Sequence, residues 1–286
     1  MTLKYIFVNL KRFDVPADMG GVNGLAPPVT WARVIINGVA DGLKKYDGRA
    51  AFTFFFPEAH LLEAAAAVRD KGLISLGCQG VYWDDIAQGG NFGSFTSCRP
   101  AAAATALGCT AVIIGHCEER RAIAAVLGEG GVSGDAAAQA VNRVLGREIA
   151  AANARRLSVL YCIGEKAEEQ ERWQEVLSAQ IDVALSVQTE GPLIIAYEPV
   201  WAIGPGKTPP DRGRIEKIAG FIQEKTKGLP VVYGGGLKAD NAAMLASIPE
   251  ISGGLIALTR FSGEIGFYPE EYLEIVGLYL NGAEKL

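Results

Sequence analysis

Short runs of apolar, β-branched and aromatic residues recur along the chain at fairly even spacing: "YIFVNL" near residue 5, "AAFTFFF" near 51, "LISLGC" near 73, "TAVIIG" near 110, "LSVLYCIG" near 157, "LIIAYE" near 193, "PVVYGGG" near 230 and "GGLIAL" near 253. Between them lie longer stretches rich in Ala, Leu, Glu, Lys and Arg, such as "EAHLLEAAAAVRDKG" and "EEQERWQEVLSAQIDVALSVQ", whose apolar residues return at helical spacing. Continuously apolar strands are what a parallel sheet covered by helices demands, and eight strand-plus-helix units are the number that closes a (β/α)8 barrel. A doubly wound open sheet competes with this, but it would carry a Gly-rich turn after its first strand, where this chain has "LKRFDVP". The expected fold is therefore α/β: one (β/α)8 barrel domain spanning 1–286.

A chain of 286 residues, 49% of them hydrophobic, suits one such domain better than two small ones. The net charge of -5, with both signs scattered, offers no basic stripe for nucleic acid and no polybasic membrane anchor. No apolar run approaches the ~18 residues of a membrane span, and "MTLKYIFVNLKRFD" lacks a signal-peptide cleavage site. Five cysteines, Cys78, Cys98, Cys109, Cys117 and Cys162, form no C-x-x-C pair and read as reduced thiols, without a zinc site. A cytoplasmic protein acting on a small soluble substrate, with no metal or cofactor, is the expectation.

Two segments exceed plain connections. Residues 10–28, rich in Pro and Gly, form an extended excursion after the first strand, and residues 80–99 form another after the third. Loops that follow strands lie at the face of a barrel where active sites are built. A polar residue ending an apolar strand on that face is therefore a candidate for chemistry. Asn9 and Lys11 end the first strand, His116 and Glu118 the fourth, Glu165 the fifth and Glu198 the sixth. An amine, an imidazole and a carboxylate suit proton abstraction next to a carbonyl: the carboxylate as base, the neutral imidazole moving protons between oxygens, the lysine stabilising an oxyanion.

Plainer readings stand beside these. Lys11 is equally a solvated lysine at a strand end, and His116 a hydrogen-bonded structural histidine. His60, inside a helical pattern, reads as structural. Glu118 and Glu165 read as supporting residues, paired with the arginines and lysines beside them. Glu198 resists such an explanation, because a carboxylate at an apolar strand end with no local basic partner is costly unless used. Glycine-bearing loops, "AIGPGK", "YGGGLK" and the residues after "GGLIAL", can offer backbone N–H groups to an anion.

Through "VNLK", "VIIGHCEERR", "YCIGE", "AYEPVWAIGPGKT" and "VYGGGLKADN", in that order, nearly the whole chain resembles the triosephosphate isomerase family. The resemblance implies the TIM barrel, a cofactor-free isomerase acting on a small phosphorylated sugar, and a homodimer. It makes Glu198 the base, His116 the neutral electrophile, and Lys11 with Asn9 the stabilisers of the enediolate; this enzyme is also a standing example of tuned acid–base groups and lid closure. It makes residues 199–208 a lid hinged at Pro199, Val200, Trp201, Lys207 and Thr208, with Gly204 offering its N–H to phosphate.

Departures from the family pattern are equally informative. Ala257 and Leu258 stand where the family has two phosphate-binding glycines, so the loop 257–268 is read as remodelled, with Arg260 or Ser262 and Gly263 taking over the anion. Gly236 replaces a serine, Pro205 a threonine at the lid tip, and Cys117 a serine expected to hold the resting base, a thiol being the weaker partner. A family ion pair across the dimer is exchanged in sign, giving the expectation that Arg99 of one subunit meets Glu119 of the other, with Thr96 reaching towards the neighbour's Lys11 loop. Interconversion of glyceraldehyde 3-phosphate and dihydroxyacetone phosphate is the leading reading. Alternatives are an isomerase of a tetrulose phosphate, a Schiff-base aldolase using Lys11, and a sugar-phosphate-binding barrel without turnover.

Overall fold

Each of the eight apolar runs is a strand: β1 (Lys4–Asn9), β2 (Ala50–Phe56), β3 (Ile74–Cys78), β4 (Ala111–Ile114), β5 (Ser158–Ile163), β6 (Leu193–Tyr197), β7 (Val231–Tyr233) and β8 (Ile251–Ile256). The computed structural model describes residues 3–69, 71–187, 191–204 and 206–283, and in it the strands run in the order β1 to β8 in a closed barrel. The pairs β1–β2, β1–β8, β2–β3 and β5–β6 are parallel, with Val8 opposite Phe54 and Val159 opposite Leu193. Closure leaves no sheet edge, and burial on both faces explains why β6 is buried at all five positions and β2 at six of seven.

Helices fill the connections. In Trp31–Leu43 the buried residues Trp31, Ile35, Ile36, Val39 and Leu43 make one apolar stripe at helical spacing. In Arg212–Thr226 the start is fixed by Asp211, whose Oδ1 accepts the Arg214 N–H at 2.8 Å and so satisfies one of the unpaired donors of the first turn. Among the described residues no helix is long and apolar enough to cross a membrane.

Packing divides the chain into two compact units. One holds the residues up to Gln79, Leu107–Ala111 and everything from Val232. Its core is aromatic: Phe54 meets Tyr272 at 5.2 Å and Phe267 at 6.4 Å between ring centroids, and Trp31 lies edge-on to Phe56 at 6.0 Å. Each such side chain removed from water contributes roughly 1.5–3 kcal/mol. The excursion 10–28 is built around Asn23, whose amide donates to the carbonyls of Asp14 and Ala26. Its start is held by Asp14, which accepts two hydrogen bonds from Arg12 and lies 3.0 Å from His60 Nε2, so His60 is a buried structural residue.

The other unit holds Gly80–Ala106 and Val112–Val231. Tyr161, Ile163, Ile195 and Tyr197 from β5 and β6 are buried with Leu177 and Ile181 of the helix Trp173–Val187. The excursion 80–99 leads into the short helix Ala101–Ala106, where Asp85 accepts the Ala102 N–H and pairs with Arg155.

Candidate active site

Glu198 follows β6 directly, and His116 follows β4 after a single glycine. The Glu198 N–H donates to Ile163 O at 2.8 Å, which continues the β5–β6 ladder to this residue. Gly164 makes that approach possible, since a Cβ there would fall 1.7 Å from Glu198 O. Glu198 is 1% exposed. Its Oε2 accepts the Cys117 backbone N–H at 3.0 Å, and its Oε1 lies 3.3 Å from His116 Nε2. Cys117 Sγ lies 3.7 Å from His116 Nδ1, and the peptide N–H of Cys117, which a serine would also supply, donates to Glu198.

His116 caps the helix Cys117–Glu129, its Nδ1 accepting the Glu118 N–H at 3.3 Å. An N–H aimed at Nδ1 needs a lone pair there, so the neutral ring carries its proton on Nε2, the nitrogen facing Glu198. Glu118 is exposed, with Oε2 3.6 Å from Nδ1. His116, Cys117 and Glu198 each bring one donor atom to within 4.8 Å of the others, a nitrogen, sulfur and oxygen set of the kind a divalent metal can use.

The peptide before His116 is clamped from both sides. Arg120 Nε donates to Gly115 O at 2.7 Å, while its other nitrogens reach Asn142 Oδ1, Tyr161 Oη and Cys162 O. Glu119 Oε2 accepts the Gly115 N–H at 2.5 Å. Gly115 has φ +79, and a Cβ would meet Cys162 O at 2.7 Å, so only glycine fits. Within the chain, Arg99 gives two hydrogen bonds to Gly80 O and lies within electrostatic reach of Glu119. Thr96 sits exposed in the same excursion, one residue before Ser97 at φ +62.

Glu165, fully buried, accepts from Tyr197 Oη at 3.0 Å, Trp201 Nε1 at 3.1 Å and Arg214 Nη2 at 3.1 Å. Its ionic partner is Arg214, 49 residues on, and not the adjacent Lys166. Burial and the Glu165 charge push the Tyr197 phenol upward, so it remains a donor. Beyond Pro199, Val200–Ala202 form a helical turn, and Gly204 at φ +118, Lys207 and Thr208 are exposed, with the Lys207 N–H 3.4 Å from Gly204 O. Pro205 lies outside the described residues.

In the other unit Asn9 is buried and Lys11 has φ +41, a conformation uncommon for a side-chain-bearing residue. Asn9 Oδ1 accepts the Lys11 N–H at 3.0 Å, and Gln79 Nε2 donates to Asn9 Oδ1, Lys11 O and Phe55 O. Gly236 has φ +99 and its carbonyl accepts from Asn241 Nδ2. Arg260 Nε donates to Glu271 Oε1 at 2.6 Å and its guanidinium lies 3.8 Å from the Tyr268 ring centroid. Ser262 and Gly263 are exposed at the tip of the loop, which the Arg260–Gly266 bridge closes. Gln79, Arg120 and Arg214 were not read from the sequence. Gln79 follows the end of β3 and carried the same strand-end signal as Glu198; the two arginines sit inside helices, where nothing local distinguishes them.

The family model for triosephosphate isomerase matches residues 30–264. The triosephosphate isomerase of Halorhodospira halophila is 35% identical over 240 residues, covering 79% of this chain and 85% of the relative. That of Bdellovibrio bacteriovorus is 34% identical over 214 residues, covering 71% and 78%. In overall fold the chain is similar to the crystal structure of triosephosphate isomerase from Bartonella henselae, with a TM-score of 0.71, 23% identity, and 97% and 99% of the two chains covered.

Proposed function

The chain belongs to the triosephosphate isomerase family, and we propose from that premise how its own residues perform the family's reaction. It is an aldose–ketose isomerase interconverting glyceraldehyde 3-phosphate and dihydroxyacetone phosphate. The observation that carries the assignment of roles is the buried Glu198 carboxylate, held by the Cys117 N–H and 3.3 Å from His116 Nε2. Glu198 takes the proton from the carbon beside the carbonyl, the C–H electron pair becomes the enediolate double bond, and the carbonyl electrons move to oxygen. His116 Nε2–H donates to that oxygen and passes a proton between the two oxygens, while Lys11, set by Asn9, supplies positive charge to the oxyanion. Glu198 then returns its proton to the neighbouring carbon.

The phosphate is assigned to the backbone N–H groups of Gly204 and Gly236, with Ser262 and Gly263 on the remodelled loop. Open space around Gly204 and Gly263 supports this, with Arg260, whose Nε donates to Glu271, as the alternative partner for the anion. The same remodelling, with Ala257 and Leu258 in place of two glycines, favours a second reading in which a tetrose phosphate is also turned over. One kinetic series tests both: Glu198→Gln is expected to lower kcat on triose phosphates by at least about 10³-fold with unchanged circular dichroism, and wild-type kcat/KM on triose and tetrose phosphates is compared side by side. Retention of more than a tenth of the turnover by Glu198→Gln would overturn the assignment of the base; a tetrose phosphate used as well as a triose phosphate would establish the second reading.

We place the protein in the cytoplasm as a homodimer, supported by the family resemblance, which extends through the excursion bearing Thr96. Light scattering is expected to give about twice the 30.3 kDa chain mass; the monomer mass at micromolar concentration would refute the dimer.

A further inference from the structure

Behind His116 lies a second carboxyl group that the reaction does not use. Glu148, on the helix Gly134–Ala154, is 6% exposed and hydrogen-bonded to Glu119, the residue that holds the Gly115 N–H. Two carboxyl groups cannot hydrogen-bond to each other unless one is protonated, since each ionised group only accepts. The arrangement identifies the owner of the proton. Glu119 faces donors and positive charge: the Gly115 N–H, Arg120 and Arg99. Of these groups only Arg120 acts on Glu148, and the Glu148 Oε2 has no hydrogen-bond partner among the described residues, which an ionised carboxylate buried in that position would not tolerate. We propose that Glu119 and Glu148 share one proton and that the pair is a positioning device for His116, Glu148 donating to Glu119 and Glu119 fixing the Gly115 peptide from which the imidazole is carried. The inference rests on the reading of His116 as the electrophile.

Gly115 shows why such a device acts on the ring. Its carbonyl is held by Arg120 and its N–H by Glu119, so the φ and ψ that aim His116 are set by two consecutive helix residues. Loss of the shared proton puts two negative charges in contact beside that peptide. Burial, reinforced by the Glu119 charge, pushes the Glu148 carboxyl up to about 9, which puts the loss within an accessible pH range. The charged and titratable groups facing the pair are Arg120 on the same helix as Glu119, Arg99 from the excursion 80–99, and Cys162 of β5, whose thiol burial keeps protonated.

The test compares the pH dependence of kcat and KM, from pH 7 to 10, for the wild type and Glu148→Gln, whose amide offers Glu119 an N–H at every pH, together with the 15N shifts of the His116 ring. In the wild type kcat is expected to fall about fivefold or more more steeply than in Glu148→Gln over this range, with KM changed less than about twofold, and the ring shifts to move over the same interval in the wild type alone. Glu119→Gln, a second neutral hydrogen-bonding variant, is expected to flatten the profile likewise and serves if Glu148→Gln does not fold. An alkaline limb identical in wild type and both variants would overturn the proposal. A His116→Gln variant separates this from the underlying reading: if it retains full turnover, the role of His116 is wrong, whereas loss of turnover there with an unchanged limb in the Glu148 and Glu119 variants refutes the proton-sharing pair alone.

Discussion

At the scale of single residues, catalytic geometry here depends on places where a side chain is absent. Gly164 follows β5 with its α-carbon against the Glu198 carbonyl, and it is held there by Gln180, whose amide donates to Gly164 O and accepts the Gly164 N–H. A methyl group at 164 falls 1.7 Å from Glu198 O, a backbone atom that cannot rotate away, so the β6 terminus must shift by something on the order of 1 Å. A displacement of that size at a catalytic group costs about 10²-fold in rate. Gly164→Ala is therefore expected to lower kcat by about 10²-fold, to leave KM much less affected, and to destabilise the fold by a few kcal/mol through the forced backbone movement. Steady-state kinetics and thermal denaturation check this; unchanged kcat would mean that the strand end adjusts without moving the carboxylate. Gln79 is the polar counterpart, one amide nitrogen serving Asn9, Lys11 and the β2 terminus, and it shows how a strained lysine backbone is held by a neutral side chain.

At the scale of elements, what the sequence revealed follows from how local each signal is. Strands covered on both faces are apolar at nearly every position, so their limits could be read within a residue or two, and the same rule exposed Asn9, His116, Glu165 and Glu198 as polar interruptions. Gln79 interrupts β3 in the same way, but a neutral amide suggests no chemistry and drew no attention. What was not legible is non-local. Nothing near Arg260 in sequence announces that the helix Pro269–Ala283 brings Glu271 onto it. Nor does the sequence show that the fold brings Gly80 to Arg99, and Gly115 and Glu148 to Glu119. Glu165 shows the intermediate case: its position at the end of β5 was legible, but its three donors come from the end of β6, the turn Val200–Ala202 and the helix Arg212–Thr226, and so tie that turn to the sheet through one carboxylate.

At the scale of the whole molecule, the buried carboxyl pair makes stability respond to pH in a direction opposite to that of most acidic groups. In the unfolded chain Glu148 titrates near 4.5, while in the folded chain burial and Glu119 raise it to about 9. Between those values the folded state binds more protons than the unfolded state, so stability falls as pH rises. Its contribution is complete below about pH 4.5 and is lost progressively up to about pH 9. Asp14, lowered on balance by its bonds to Arg12 and His60 against the opposing effect of burial, acts in the usual sense and only in acid, below this window. Lys4, lowered by burial, acts near the upper limit and favours the folded state as pH rises. The interval from pH 5.5 to 8.5 lies inside the window over which the pair gives up its proton, Glu119 itself being raised by burial. Over it the wild-type Tm is expected to fall by roughly 5 °C or more, since each kcal/mol moves Tm by about 2–4 °C in a domain approaching this size, and Glu148→Gln, which has no proton to lose, is expected to remove most of that fall. Scanning calorimetry at matched ionic strength makes the comparison, and a wild-type Tm that rises or stays level from pH 5.5 to 8.5 would show that the two carboxyl groups do not retain a shared proton in the folded protein.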